Sequence, residues 1–270
     1  MTTTAEPTAN VPAAGRHAAQ HPQPAAARPS LVRLTAVELR KLADTRAGYW
    51  LLIVIALAAA TIVTVQLFVM DDAAQTFQNF FTPSLIPVGV LLPVLGILSV
   101  TSEWSQRTAL TTFALVPQRH RVAAAKVLAA IVAALASILA SLAVSAIGTL
   151  VAAATGGDGS WSIEASMVAY AAVFQVINVL MGVAFGMLIL NTPLAIVLYF
   201  VVPTVWGVLG ELIKALREAA QWLDMGITTV PLTTADVTAG QWARISVSVL
   251  VWILVPLVAG LVRLTRREVS

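Results

Sequence analysis

From residue 49 onward the chain alternates long apolar runs with short polar stretches. Six runs stand out: Tyr49–Met70, Phe81–Val100, Val122–Ala154, Ile163–Leu190, Pro193–Gly210 and Trp242–Leu261. Each suits a helix that crosses a hydrocarbon core about 30 Å thick. The pattern predicts an all-α integral membrane protein with six transmembrane helices. Tyr49 and Trp50 suit the inner boundary of the first span. Pro83, Pro87 and Pro93 predict a kinked second span, with neighbours meeting the carbonyls that proline frees. The third span is dominated by Ala and carries Ser137, Ser141 and Ser145. Only Asn191 and Thr192 separate the fourth and fifth runs, so these form a tight hairpin.

The flanks read differently. Residues 1–29 are rich in Ala, Pro, Thr and Gln without apolar periodicity, which predicts a disordered cytoplasmic tail and not a signal peptide. Ser30 suits an N-cap. From Leu31 to Arg46 the period is helical: Leu31, Val32, Leu34, Leu39 and Leu42 share one face, and Arg33, Arg40 and Asp44 fall opposite. Such a helix lies in the membrane interface with its cations toward headgroups, or else simply extends the first span. Residues 30–270 then make one six-span membrane domain. Between Gly207 and Gln241, a second amphipathic helix is expected at the outer surface or dipping into it, from Leu209, Leu212, Ile213, Leu216, Ala220 and Leu223. Its first turns would equally continue the fifth span.

Composition fits this picture: 59% of residues are hydrophobic and 11% charged, against about 25% charged in soluble domains. Charge sets the orientation. With a cytoplasmic N-terminus, thirteen of the sixteen Lys and Arg residues lie inside, and Lys214, Arg217 and Arg244 lie outside. Six spans in the plasma membrane, with both ends cytoplasmic, satisfy the positive-inside bias. The net charge of +3 therefore implies no nucleic-acid partner. There is no cysteine, and His17, His21 and His120 are not spaced as metal ligands. Polar residues inside spans are candidates for a translocation path, here Gln66, Gln175 and Asn178. The blander reading makes them interhelical hydrogen bonders. Gly182 and Gly186 form G-x-x-x-G, which permits close helix approach.

The most informative polar stretch is Glu103–Lys126, EWSQRTALTTFALVPQRHRVAAAK. Glu103 marks the inner boundary of the second span, because a carboxylate is costly in hydrocarbon and needs a donor. Trp104 suits the same depth. Ala109, Leu110, Phe113 and Ala114 form the apolar side of a short helix that Pro117 ends. Arg119, Arg121 and Lys126 bring the chain back to the membrane. An ordinary inner loop would share this composition. The order of residues, however, resembles the segment after the second span of type-2 ABC transporter permeases: Glu, aromatic, Thr, a Leu-containing turn, Pro, Arg, and Lys on the next helix. The resemblance spans about residues 31–265.

That resemblance implies a permease half with an N-terminal amphipathic helix and a cytoplasmic coupling helix. It implies a second permease copy, homodimeric or heterodimeric, and a separate ABC ATPase subunit. Matching positions give the ATPase contact as Glu103, Trp104, Gln106, Arg107, Thr108, Leu110, Phe113 and Pro117. In one departure, Arg107 stands where the family often has Gly, which allows backbone conformations that Arg avoids.

The chain has no G-x-x-x-x-G-K-[ST] phosphate loop, so ATP hydrolysis is expected in the partner and neither catalytic residues nor a cofactor here. Glu218–Ala219–Ala220 mimics the ABC importer loop, but its spacing to Gly226 is wrong and its side of the membrane is outer. The expected function is the transmembrane subunit of an ATP-driven exporter, in contact with membrane lipids. The alternative is an accessory, immunity or sensor protein without transport. A secondary carrier is disfavoured, because the spans lack charges able to carry coupling ions.

Overall fold

The structure is a computed structural model that describes residues 29–106, 108, 111, 116, 118–234 and 236–266. Every regular element among these is helical. Helix α1 (Leu31–Asp44) precedes α2 (Arg46–Val69), α3 (Phe77–Ser105), α4 (Arg119–Thr155), α5 (Ala165–Ile189) and α6 (Thr192–Leu212). Two short helices follow, α7 (Arg217–Leu223) and α8 (Met225–Thr228). The last long helix comprises α9 (Ala239–Val249), a π turn (Leu250–Leu254) and α10 (Val255–Arg266). The π turn sits just ahead of Pro256, which lacks an N–H for the carbonyl one turn back. Six helices, α2 to α6 and Ala239–Arg266, are long and apolar enough to cross a membrane. They match the six apolar runs to within a few residues at each end.

Helices α3 and α5 form the centre. In each, 56% of the most apolar window is buried, against 17% in α2 and in α6, which are therefore peripheral. The central pair approaches closely because small residues line the seam. A Cβ on Gly182 would stand 2.3 Å from the Pro93 carbonyl oxygen, and one on Gly96 would stand 2.8 Å from that of Val179. Thus the G-x-x-x-G of the fourth run marks the α3–α5 contact. Leu190, in the left-handed region at φ 54°, ends α5, and the Asn191 side chain caps α6 by accepting from Leu194 N–H, so the hairpin turn is as short as expected.

Helix α3 continues through all three prolines. Pro83 removes the donor for the Asn79 carbonyl, and Gln66 of α2 replaces it with its Nε2 at 2.8 Å.

Beyond α6 the expected amphipathic helix does not form as one unit. The chain turns at Ile213, whose backbone is extended, and α7 folds back against α6. The contact is tight: a Cβ on Gly210 would meet the Ala220 Cβ at 2.4 Å. Ser248 Oγ donates to the Trp222 carbonyl at 2.8 Å, and Trp252 Nε1 donates to that of Leu223. Ser248 lies nine residues into the last long helix, about 14 Å from its start. Residues 213–234 therefore dip beside that helix instead of resting on its end. Met225 and Leu232 are buried there against Ile177, Met181 and Ile245.

Candidate functional site

One end of the bundle gathers the cations. Arg121 Nη2 donates to the Pro29 carbonyl at 2.6 Å, Arg119 Nη1 to that of Leu264 at 2.7 Å, and Arg263 Nη1 to that of Leu188. These bonds fasten together the starts of α1 and α4 and the ends of α5 and α10. Lys214, Arg217 and Arg244 belong to the opposite end.

Helix α1 is aimed by its two caps. Ser30 Oγ accepts from Arg33 N–H at 3.2 Å and starts the helix. Thr45 adopts an extended backbone, ends α1, and caps α2 by accepting from Gly48 N–H. The corner is so tight that a Cβ on Gly48 would lie 1.9 Å from the Leu42 carbonyl oxygen. The apolar stripe expected to face the membrane instead packs on α4 and its neighbours. Its centre is Thr35, Glu38 and Leu42, all buried, while Val32 at its edge is 79% exposed. Arg33, Arg40 and Asp44 face away, as their spacing predicts.

At the centre of that stripe, two glutamates and two lysines close a ring. Glu38 and Lys41 share one face of α1, three residues apart. Glu103 comes from the last turn of α3, and Lys126 from the first turns of α4. Lys41 Nζ lies 2.8 Å from Glu38 Oε1 and 2.8 Å from Glu103 Oε1. Lys126 Nζ lies 2.7 Å from Glu38 Oε2 and 3.1 Å from Glu103 Oε1. It also donates to the Ser99 carbonyl at 2.6 Å, so all three of its protons have partners. Lys126 is 4% exposed, Glu38 6% and Glu103 7%, deep enough that losing any one strands its partners. Burial lowers the Lys41 pKa, but bonds to Glu103 and Glu38 outweigh it, and the net shift is upward. The ring is neutral and ties three helices together.

Glu103, expected at a partner contact, thus turns its carboxylate inward. The chain leaves α3 through hydrogen bonds to its last carbonyls: Gln106 N–H to Ser102 and Thr108 N–H to Glu103, each at 2.9 Å. Trp104 packs beside the cluster that contains Leu42, Leu95 and Leu264. Gln106 and Thr108 are exposed. Arg107, Leu110, Phe113 and Pro117 of the expected contact lie outside the described residues, as does nearly all of the expected tail. A cleft of about 680 Å³ opens beside the ring, with Lys41, Arg46, Ser102 and Gln106 on its wall.

The three in-span polar residues do not converge. Gln66 serves the Asn79 carbonyl as described. Gln175 is fully buried and donates through Nε2 to the Leu85 carbonyl of α3 at 3.3 Å. Asn178 donates to the Phe174 carbonyl and accepts from the Tyr199 hydroxyl at 3.3 Å. Asn178 also lines an apolar cavity of about 540 Å³ with Phe81, Pro83, Phe174, Tyr199 and Met225, between α3, α5, α6 and α8.

The ring partners Glu38 and Lys41 are the residues that sequence reasoning misses. The available signal is Glu38 itself: an acid at the middle of an apolar stripe needs a buried cation. No family model matches the chain, and no curated protein matches it closely enough to count as a relative.

Proposed function

We propose that this chain is the transmembrane subunit of a type-2 ABC transporter, an exporter that works as a dimer with a separate ATPase. The observation that carries this reading is the ion ring. It joins the end of α3 to the start of α4, and therefore flanks segment 106–118 on both sides. A partner that pushes on this segment moves α3, α4 and, through Glu38 and Lys41, α1 as one piece. Six spans, an N-terminal helix and the folded segment ahead of the last span agree with such a permease. Peripheral α2 and α6 leave apolar faces that a second copy would cover. In this reading Gln106, Thr108 and Phe113 meet the ATPase, Glu103 positions them from behind, and Asn178 belongs to the path.

Co-purification tests it. A phosphate-loop ATPase encoded beside this chain should be retained by the wild type and support ATP-dependent transport in vesicles. Phe113→Ala should weaken that retention about thirtyfold, the loss of one desolvated anchor. Gln175→Ala should leave it unchanged. Transport by the chain alone on an ion gradient, or full ATPase retention by Phe113→Ala together with Gln106→Ala, overturns the reading.

A further inference from the structure

Two hollows lie end to end along α1–α4. The first is the 680 Å³ cleft at the cation-rich end. The second is a groove of about 280 Å³ walled by α2 and α4, floored by α3 and crossed at one end by α1. Leu42 and Leu95 line both, so the groove begins where the polar cleft stops. Along α4 the groove runs from Ala133 to Val144, about 16 Å. It opens sideways because Ala56 on α2 and Ala136 on α4 are exposed and too small to close it.

Charge distinguishes the two hollows. The groove wall is apolar apart from Ser137 and Ser141. In the cleft, the ring cancels its own charges. Arg46 remains, exposed and without an ion pair among the described residues. Lys41 makes two hydrogen bonds and keeps its third proton for the cleft.

We propose that the two hollows form one binding site for an anionic phospholipid. The phosphate lies against Arg46 and Lys41, the glycerol passes Leu42 and Leu95, and one acyl chain fills the groove. A headgroup cleft that leads into a chain-wide apolar groove suits an amphiphile, and the unpaired cation selects an anionic one. The bound lipid touches α1, α2, α3 and α4 together, and so adds to what the ring does.

Native mass spectrometry of delipidated protein, titrated with phosphatidylglycerol or phosphatidylcholine, tests this. One phosphatidylglycerol should be held about fivefold more tightly than phosphatidylcholine, the effect of one interfacial cation. Arg46→Gln should bring the two lipids level. Ala136→Trp, at the open edge of the groove, should weaken both about tenfold or more by occupying the chain's place. It should also abolish the rise in melting temperature that phosphatidylglycerol gives the wild type. Ala140→Trp, also at that edge, serves if Ala136→Trp does not fold. Equal retention of the two lipids by the wild type overturns the proposal, as does wild-type retention by both tryptophan variants. Neither readout involves an ATPase, so this site is tested apart from the transporter reading.

Discussion

The two ends of the bundle solve the same problem with different chemistry. Each must hold a short segment against the long helices through buried polar groups. At the cation-rich end, four full charges from three helices close a ring around the α1 contact. At the opposite end, residues 213–234 are tied to the last long helix chiefly by neutral bonds, Thr228 to Ser248, Ser248 to the Trp222 carbonyl and Trp252 to that of Leu223, with the Arg244 guanidinium 5.8 Å from the Trp222 ring centre. Neutral bonds are each worth about 1 kcal/mol and fail one at a time. A buried ring of charges behaves otherwise. Its intact state adds little net stability, but losing one member leaves an uncompensated charge. The ring therefore makes α1, α3 and α4 move together or not at all, whereas the opposite segment can loosen gradually. In the transporter reading proposed above, the first behaviour suits the end that would receive the push of an ATPase.

The hardest blow to this contrast is Lys126→Ala. It leaves Glu38 and Glu103 buried with only Lys41 between them, and should cost about 3–5 kcal/mol. Chemical denaturation in detergent measures it. The sharper comparison is Lys126→Met with Glu38→Met, which preserves the Lys41–Glu103 pair and should be less damaging than Lys126→Met alone. If the double variant is as unstable as the sum of the single ones, the ring is not a coupled unit.

At the other end, Ser248→Ala removes the donor to the Trp222 carbonyl and the acceptor for Thr228. The Trp222 carbonyl loses its donor, while Thr228 Oγ1 keeps the Asp224 carbonyl as acceptor at 2.9 Å, so the cost should be about 1 kcal/mol. Adding Thr228→Val should cost little more, since their shared bond is already gone. Hydrogen exchange should rise within 222–232 and stay unchanged in α1. A rise in both places would mean that the two ends are not independent.

These ends also differ in how far the sequence reveals them. The six long helices are legible because an apolar run of span length has few other uses. The α1 helix and its polar face are legible from period alone. The ring is not, because periodicity compares near neighbours, whereas the pair at 38 and 41 meets residues 103 and 126 only in three dimensions. A single sequence offers Glu38 on an apolar stripe as a hint, with Lys41 one helical turn on, but not Glu103 or Lys126 as their partners. The segment at the opposite end fails for another reason. Leu209 to Leu223 keep a helical period across a chain reversal at Ile213, so the period predicts a helix where only its pieces exist. Gly207 and Gly210, which let Asp224 and Ala220 approach α6, carry the missing information. Of the in-span polar residues, Gln66 could be paired in advance, since Pro83 announces a carbonyl in need of a donor.

The smallest expected effect concerns pH, and it probes the ring through its most exposed member. The Lys41 side chain is 39% exposed, and its pKa lies above the usual 10.5 because its bonds to Glu103 and Glu38 outweigh burial. A lysine raised in the folded state stabilises fully below its unfolded pKa, and that stability is lost as pH climbs through the folded one. The ring should therefore hold α1 equally well from about pH 6 to 9, and begin to release it only above 10.5. The absence of native cysteine makes labelling simple. Spin labels at positions 36 and 132, both exposed, report the distance between α1 and α4. The distance distribution should stay fixed across the neutral range and broaden only in strong alkali. The bonds that Ser248, Thr228 and Trp252 make contain no group that titrates near the lysine range, so a label pair on α7 and α9 should show no transition there. Broadening between α1 and α4 at pH 7 to 8 would mean that a group other than Lys41 controls the contact, and the ring would lose its place as the element that fastens this end.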